Sequence, residues 1–163
     1  MYLLDTGTLI DLREARRPDS DPALAAWAER VAAQQMFLSA LTLLELEHAA
    51  ANAARRAKDA GAAWRDWLDR QVVPAFADRV LPLDAAIIRR RALIPYAEDR
   101  EGLLAATALV HNLTLVTSEP RKYRAGRVKV LDPSGFELDG TDEGDWREAS
   151  RSGAAWLRNL LIR

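Results

Sequence analysis

Short apolar runs alternate along this chain with longer stretches of helical periodicity. The runs cover residues 2–4, 36–38, 113–116 and 128–131, and a weaker one covers residues 80–81. Apolar runs of this length are typical of buried strands, and helices between consecutive strands favour parallel pairing. The alternation therefore predicts an α/β fold built on an open, mainly parallel sheet. In such sheets, functional side chains gather at the carboxyl ends of the strands.

Capping residues mark where the intervening helices begin and end. The predicted N-caps are Asp21, Ser39 and Asp84, whose side chains can accept a hydrogen bond from a free N–H of the first turn. Gly61 is expected to end the long helix that starts at Ser39. Residues 103–110 are apolar nearly all round, which predicts a buried helix.

Composition excludes several classes of function. The 163 residues include no cysteine and two histidines, His48 and His111, so disulfides, thiol catalysis and Cys/His zinc sites are excluded. The 23 basic and 24 acidic residues give a net charge of −1, which argues against a uniformly basic nucleic-acid binder. The N-terminus does not resemble a signal peptide, and no run of about 18 apolar residues occurs. We therefore expect a cytoplasmic protein without a membrane span.

The last 30 residues differ in character from the rest. Residues 137–148 carry six acids against one arginine, and an apolar helical stripe follows. Its members are Trp156, Leu157, Leu160 and Leu161. We predict one domain over residues 1–133, then an acidic linker and an amphipathic C-terminal helix over residues 134–163.

Glu45 is the most informative single residue. Leu41, Leu44 and Ala49 share its side of the predicted helix, so a carboxylate stands where the pattern requires an apolar side chain. A buried carboxylate needs a partner, because an unpaired charge is very costly there. A metal ion or a nearby base would supply one, and a purely structural arginine pair is the simpler alternative.

Three further acids lie at a predicted strand end or helix start, namely Asp5, Glu101 and Glu119. Helix capping or the helix dipole would by itself explain each of them. An α/β sheet nevertheless gathers such positions into one cleft, where four carboxylates repel one another unless cations neutralise them. Mg²⁺ or Mn²⁺ would do so and would also activate a water molecule.

Five segments together resemble a known family. They are YLLDT at 2–6, FLSALTLLELE at 37–47, VLPLD at 80–84, GLLAATA at 102–108 and LTLVT at 113–117. Over residues 1 to about 133 the chain resembles the PIN-domain ribonucleases, most closely the VapC and FitB toxins of bacterial toxin–antitoxin pairs. The resemblance implies helices on both faces of the sheet and a Mg²⁺- or Mn²⁺-dependent RNA endonuclease. It also implies a type II toxin that forms a homodimer and is held inactive by a cognate antitoxin.

The resemblance assigns roles to individual residues. Asp5, Glu45 and Glu101 match the family's first three acidic positions and would be the metal ligands, and Glu119 is the nearest carboxylate to the fourth. The resemblance implies that these four acids are the catalytic residues. Thr6 and Thr117 would support the site.

Three positions depart from the family pattern. Glu101 replaces the usual Asp, Gly7 replaces Asn, and Lys122 replaces the late Asp. The Lys122 ammonium could take over part of a metal ion's charge. Two functions stay open at this point, an active ribonuclease and a catalytically degenerate domain that binds RNA or a protein.

Positive charge is concentrated in residues 89–130, a segment with nine basic and four acidic residues. Within this segment, the candidates for contact with RNA or antitoxin are Arg89, Arg90, Arg91, Arg121, Lys122 and Arg124. A solvated surface without a partner is the simpler interpretation of the 89–91 run. Trp64 and Trp67 are expected in the core or a dimer contact rather than as a platform for RNA bases.

Overall fold

Five short strands form one sheet in the computed structural model, which describes residues 1–15 and 20–135. The strands are β1 (Tyr2–Leu4), β2 (Met36–Ser39), β3 (Val80–Leu81), β4 (Thr114–Val116) and β5 (Val130–Leu131). Their order is β3-β2-β1-β4-β5, and every neighbouring pair is parallel. The predicted fold class is confirmed, while the predicted linker and helix beyond residue 135 lie outside the described residues.

Helices connect the strands. They are α1 (Thr6–Glu14), α2 (Pro22–Arg30), α3 (Ala40–Arg56), α4 (Lys58–Trp67), α5 (Val73–Ala75), α6 (Ala85–Ala92) and α7 (Asp99–Val110). A π-helical turn (Leu68–Val72) joins α4 to α5, and 3-10 turns lie at Ala33–Gln35, Pro120–Gly126 and Pro133–Gly135. No helix in the described part of the chain is long and apolar enough to cross a membrane.

The sheet separates two apolar cores. Successive residues of a strand point to opposite faces, and accordingly Leu4 and Val116 pack with α1 to α4, whereas Leu3 and Leu115 pack with α6 and α7. All four side chains are fully buried. Helices therefore cover both faces, as the family resemblance implied.

The predicted N-caps are confirmed, but one predicted helix end is wrong. Asp21, Ser39 and Asp84 each accept a hydrogen bond from the helix they precede. Gly61 lies inside α4 instead of ending α3. A Cβ at Gly61 would lie 2.4 Å from the Cα of Ala54, so this glycine allows α3 and α4 to pack closely, a requirement that local sequence does not reveal.

The apolar face predicted for α3 is partly wrong too. Leu44 is 49% exposed, and the buried residues of this helix are Thr42, Leu46 and Ala50. Glu45 therefore lies at the border of the buried stripe, next to Leu46, rather than within it.

Trp67 belongs to the core, since it is 1% exposed. Trp64 packs edge-on against it, with ring centroids 5.6 Å apart, and the guanidinium carbon of Arg13 lies 4.1 Å from the centroid of Trp64. This arrangement fits the packing role predicted for the pair, because no base can stack on a buried ring.

Candidate active site

Asp5 stands where the chain leaves the central strand β1 and begins α1. Its Oδ1 accepts a hydrogen bond from the backbone N–H of Thr8 at 2.7 Å, so it is the N-cap of α1 as predicted. Its own N–H donates to the carbonyl of Val116 in β4 at 3.1 Å. The chain reverses its direction across the sheet between β1 and β4, and such a reversal creates a crevice at the carboxyl ends of parallel strands.

Glu45 reaches the same edge of the sheet from the second turn of α3. Thr42 in this helix donates to the carbonyl of Leu4 at 3.5 Å, which ties the start of α3 to the end of β1. The Thr6 hydroxyl in α1 donates to Oε2 of Glu45. Because the Glu45 side chain is 23% exposed, its carboxylate is largely withdrawn from water and requires a charged partner.

Arg100, in the first turn of α7, is that partner. Its Nε donates to Oε1 of Glu45 at 2.6 Å, and a terminal nitrogen donates to Oε2 at 3.3 Å. Such two-pronged pairs are among the stronger hydrogen-bonded contacts in proteins. Burial alone would lower the pKa of Arg100, but the hydrogen bonds and charge of Glu45 outweigh it and raise the pKa. Arg100 therefore keeps its charge beside Glu45.

Glu101 and Asp5 complete this cluster. The Oε1 of Glu101 lies 3.5 Å from the second terminal nitrogen of Arg100, and the hydroxyl of the buried Tyr123 lies 3.5 Å from that nitrogen. Burial raises the pKa of Tyr123; Arg100 partly lowers it, while Asp5 and Glu101 raise it further. The hydroxyl therefore stays protonated at neutral pH. We call Asp5, Glu45 and Glu101 the acid cluster, since the charges of all three act on the Arg100 guanidinium.

Sequence reasoning missed Arg100 and Tyr123 as members of the site. One signal pointed to Arg100. A cation in the first turn of a helix faces the positive end of the helix dipole, so its presence there indicates compensation by nearby acids. Tyr123 follows Lys122 in the sequence, but nothing local shows that its side chain turns inward.

Arg91 has a structural role in placing α7. It donates to the carbonyls of Ile94 at 3.3 Å and Tyr96 at 3.0 Å, and it pairs with Asp99 at 3.1 Å. A Cβ at Gly102 would lie 2.1 Å from the Arg91 Nε, so the arginine passes directly over this glycine. Arg91 therefore has an internal role, because it donates to the loop that precedes α7. Its contact with RNA or antitoxin stays a prediction.

Tyr96 fixes the turn that carries Tyr123. Its hydroxyl donates to the carbonyl of Tyr123 at 2.8 Å and accepts from the N–H of Gly126 at 3.2 Å. Burial raises the pKa of Tyr96, so this hydroxyl remains a donor at neutral pH. The Tyr123 hydroxyl is held beside Arg100 as a result.

Glu119 and Lys122 pair with each other at the surface. Their charged atoms lie 2.7 Å apart, and both side chains are about half exposed. Among the described residues, no hydrogen bond or ion pair joins Glu119 to the acid cluster, and none joins Lys122 to it. Thr117 is buried and accepts from the Glu119 N–H at 3.0 Å, so it shapes the turn after β4.

The remaining basic candidates lie on the surface. Arg89, Arg90, Arg121 and Arg124 are exposed, so they are available to a polyanion. His48 is exposed as well.

The acid cluster fits Mg²⁺ or Mn²⁺ in the type of its donors, since carboxylate oxygens are the ligands these ions prefer. The three carboxylates are not arranged to bind a single ion together. Within residues 1–15 and 20–135, no three Asp, Glu or His side chains are placed so that they could hold one ion. Both oxygens of Glu45 accept hydrogen bonds from Arg100 or Thr6. An ion that binds both oxygens of Glu45 would therefore require the Arg100 side chain to turn away.

A cavity of about 330 Å³ lies beside α1 and is distinct from the acid cluster. Its polar lining includes Asp11, Glu14, Asp21 and Asp132. Burial, and then the charges of Asp5, Glu14 and Asp21, raise the pKa of Asp11. None of the predicted site residues lines this cavity.

Comparison with known proteins gives consistent matches. A family model described as the PIN domain matches residues 2–128. The toxin FitB of Neisseria gonorrhoeae is 30% identical over 141 residues, which cover 82% of this chain and 98% of FitB. The VapC ribonuclease Y4jK of Sinorhizobium fredii is also 30% identical over 141 residues, covering 82% of this chain and 97% of the relative. The crystal structure of FitAcB from Neisseria gonorrhoeae superposes with a TM-score of 0.72 at 30% identity, over 82% of this chain and 98% of that one.

Proposed function

The chain belongs to the PIN domain family, and on that premise we propose that it is a metal-dependent RNA endonuclease, the toxin of a type II toxin–antitoxin pair. The contact of Glu45 and Glu101 with one guanidinium, together with the position of Asp5 at the end of β1, carries the proposal. All three lie within residues 2–128, the part that matches the family. The names of the relatives support it, since one is a toxin and another a ribonuclease.

The partners proposed for the chain are an RNA substrate, a cognate antitoxin and a second copy of itself. The structural match to FitAcB supports the proposal of a protein partner of the antitoxin class. Arg121 and Arg124 are exposed on the turn after β4, where they would attract the phosphates of RNA through long-range electrostatics.

The acid cluster would hold Mg²⁺ or Mn²⁺, which when bound activates a water molecule and stabilises charge on a phosphodiester. The chain's own residues prepare the ligands. The Thr8 N–H fixes one oxygen of Asp5, and the Thr6 hydroxyl fixes one oxygen of Glu45. Tyr123 is 1% exposed, and its hydroxyl lies 3.5 Å from a terminal nitrogen of Arg100.

Incubation of the purified full chain with a broad panel of RNAs tests this proposal. We expect cleavage with Mg²⁺ or Mn²⁺ and none after EDTA treatment, since the phosphodiester chemistry requires the ion. A folded, metal-supplemented and antitoxin-free protein that cuts no RNA in the panel would contradict the enzymatic function.

The Arg100–Glu45 pair also favours a second candidate function, a degenerate PIN domain that binds RNA or a protein without cutting. In that case the guanidinium neutralises Glu45 permanently. The same RNA panel separates the two functions, because a binding module would shift RNA in a gel at low salt with or without metal and leave it intact.

A further inference from the structure

We propose that Arg100 is the resident counter-ion of the acid cluster, and that a divalent cation binds there only by displacing Arg100 from Glu45. This inference rests on the proposed metal site, but it concerns side chains of this chain. Arg100 contacts Glu45 through two nitrogens and Glu101 through the third. The side chains of Arg100, Glu45 and Glu101 are 33%, 23% and 12% exposed, so their attraction is only partly screened by water.

The guanidinium and a metal ion need the same lone pairs. Oε1 of Glu45 accepts from Nε of Arg100, and Oε2 accepts from a terminal nitrogen of Arg100 and from Thr6. Mg²⁺ requires an oxygen at about 2.0–2.1 Å with a lone pair directed at the ion. Three donors therefore occupy three of the about four lone pairs of this carboxylate. The guanidinium donates to both oxygens, so an ion that binds both of them has to replace the arginine.

Electrostatic repulsion also disfavours simultaneous binding of the Arg100 guanidinium and a divalent metal ion. The three carboxylates of the acid cluster carry −3 and Arg100 carries +1, so the net charge is −2. A divalent ion placed beside an unmoved guanidinium would be repelled strongly in this partly buried setting. The same ion on a cluster without Arg100 would meet the full −3. Removal of the guanidinium therefore strengthens metal binding on electrostatic grounds as well.

The position of Arg100 is held from several sides. The first turn of α7 is the positive end of the helix dipole and disfavours a cation, yet Glu45, Glu101 and the Tyr123 hydroxyl surround Arg100 there. Tyr96 in turn fixes the segment that carries Tyr123. Lys122, by contrast, pairs with Glu119 at the surface. Among the residues that the structure describes, it is therefore Arg100 and not Lys122 that pairs with this cluster.

Titration of metal-free full-length protein with Mn²⁺, followed by electron paramagnetic resonance of the free ion, tests the inference without reference to activity. Arg100→Gln removes the charge and the two-pronged contact, and we expect it to bind Mn²⁺ about tenfold more tightly than wild type. Arg100→Lys keeps a charge but loses the fork, so its Kd should fall between the two. Arg70→Gln is the matched control, because Arg70 is 80% exposed and, within the described part of the chain, pairs with Asp66 alone; its Kd should equal that of wild type.

An Arg100→Gln protein whose Kd for Mn²⁺ equals or exceeds that of wild type would overturn the inference. The lysine variant provides the same comparison if the glutamine variant fails to fold. The gain must also vanish when Asp5→Asn is added, since a gain that persists lies at another site and contradicts the inference. The proposed function fails separately, if wild type with Mn²⁺ leaves RNA intact whatever the Kd of the variants.

Discussion

The Nε of Arg100 lies 2.6 Å from Oε1 of Glu45, although 55 positions separate the two residues in the chain. The contact joins the first turn of α7 to the second turn of α3 at the carboxyl edge of the sheet. Glu45 thereby has a charged partner within its own chain. Under the function proposed above, RNA cleavage would depend on how readily a metal ion replaces that partner.

Metal binding should be visible in the stability of the wild-type protein. A ligand that binds only the folded state raises the melting temperature by mass action, so millimolar Mn²⁺ should raise the Tm of the full chain. Asp5→Asn should remove most of this rise, because it takes a carboxylate from the acid cluster. Differential scanning calorimetry with Mn²⁺ and with EDTA measures both. Identical melting curves in the two buffers would count against the metal site.

Glu45→Gln should abolish RNA cleavage while the protein stays folded. The amide keeps the shape of the carboxylate but loses the charge that holds the ion. We expect at least a hundredfold lower cleavage rate, on the order of effects seen for groups of this kind. Glu47→Gln is the control, since Glu47 is a neighbour that pairs with the exposed Arg65. Equal rates for the two variants would remove Glu45 from the site.

Gly61→Ala should destabilise the protein, and Gly7→Ala should not. The new Cβ at position 61 would lie 2.4 Å from the Cα of Ala54, a backbone atom that cannot turn aside. Overpacking of this kind costs roughly 1–3 kcal/mol. A Cβ added at position 7 would lie 3.6 Å from a carboxylate oxygen of Asp5, an ordinary van der Waals distance. The higher helix propensity of Ala should therefore stabilise the protein by up to about 1 kcal/mol. Urea denaturation at pH 7 gives both values, and a stabilised Gly61→Ala protein would refute the close approach of α3 and α4.

Asp11→Asn should stabilise the protein at neutral pH. The raised pKa of Asp11 shows that its ionised form is disfavoured in the fold, first by burial and then by Asp5, Glu14 and Asp21. The unfolded chain does not have this penalty, so the folded state loses stability as the pH rises from the ordinary pKa of Asp to the raised pKa, and the loss is complete above the raised pKa. The gain in Tm from the substitution should be full at pH 7. It should vanish when the pH falls below the ordinary pKa of Asp, where both states hold the proton. A gain that is independent of pH would disprove the electrostatic cause.

Arg91→Gln should cost more stability than Arg89→Gln, although the two arginines lie in the same run. Arg91 donates to two carbonyls and pairs with Asp99, whereas Arg89 is exposed. We expect a loss of about 1–2 kcal/mol at position 91 and a change within about 0.5 kcal/mol at position 89. Chemical denaturation of both variants provides the comparison. Equal losses would show that Arg91 does not anchor the start of α7.

The sequence by itself determined where the strands lie and where the helices capped by Asp21, Ser39 and Asp84 begin, because apolar runs and capping residues are local patterns. The apolar runs that end at Leu4, Leu81 and Val116 form strands as predicted. Caps such as Ser39 need only a side-chain oxygen within three residues of a free N–H. Local patterns also identify Asp5 and Glu45 as candidate site residues. Asp5 stands at the end of a strand, and Glu45 is a charged residue in an apolar pattern.

Only the tertiary structure decided what lies next to these residues. The role of Gly61 follows from the approach of α4 to Ala54, and the exposure of Leu44 follows from which side of α3 meets the sheet. The sequence likewise left open whether a metal ion or a base neutralises Glu45. Arg100 answers that question in this structure because the order β2-β1-β4 brings the start of α7 beside α3, a proximity that no local pattern encodes.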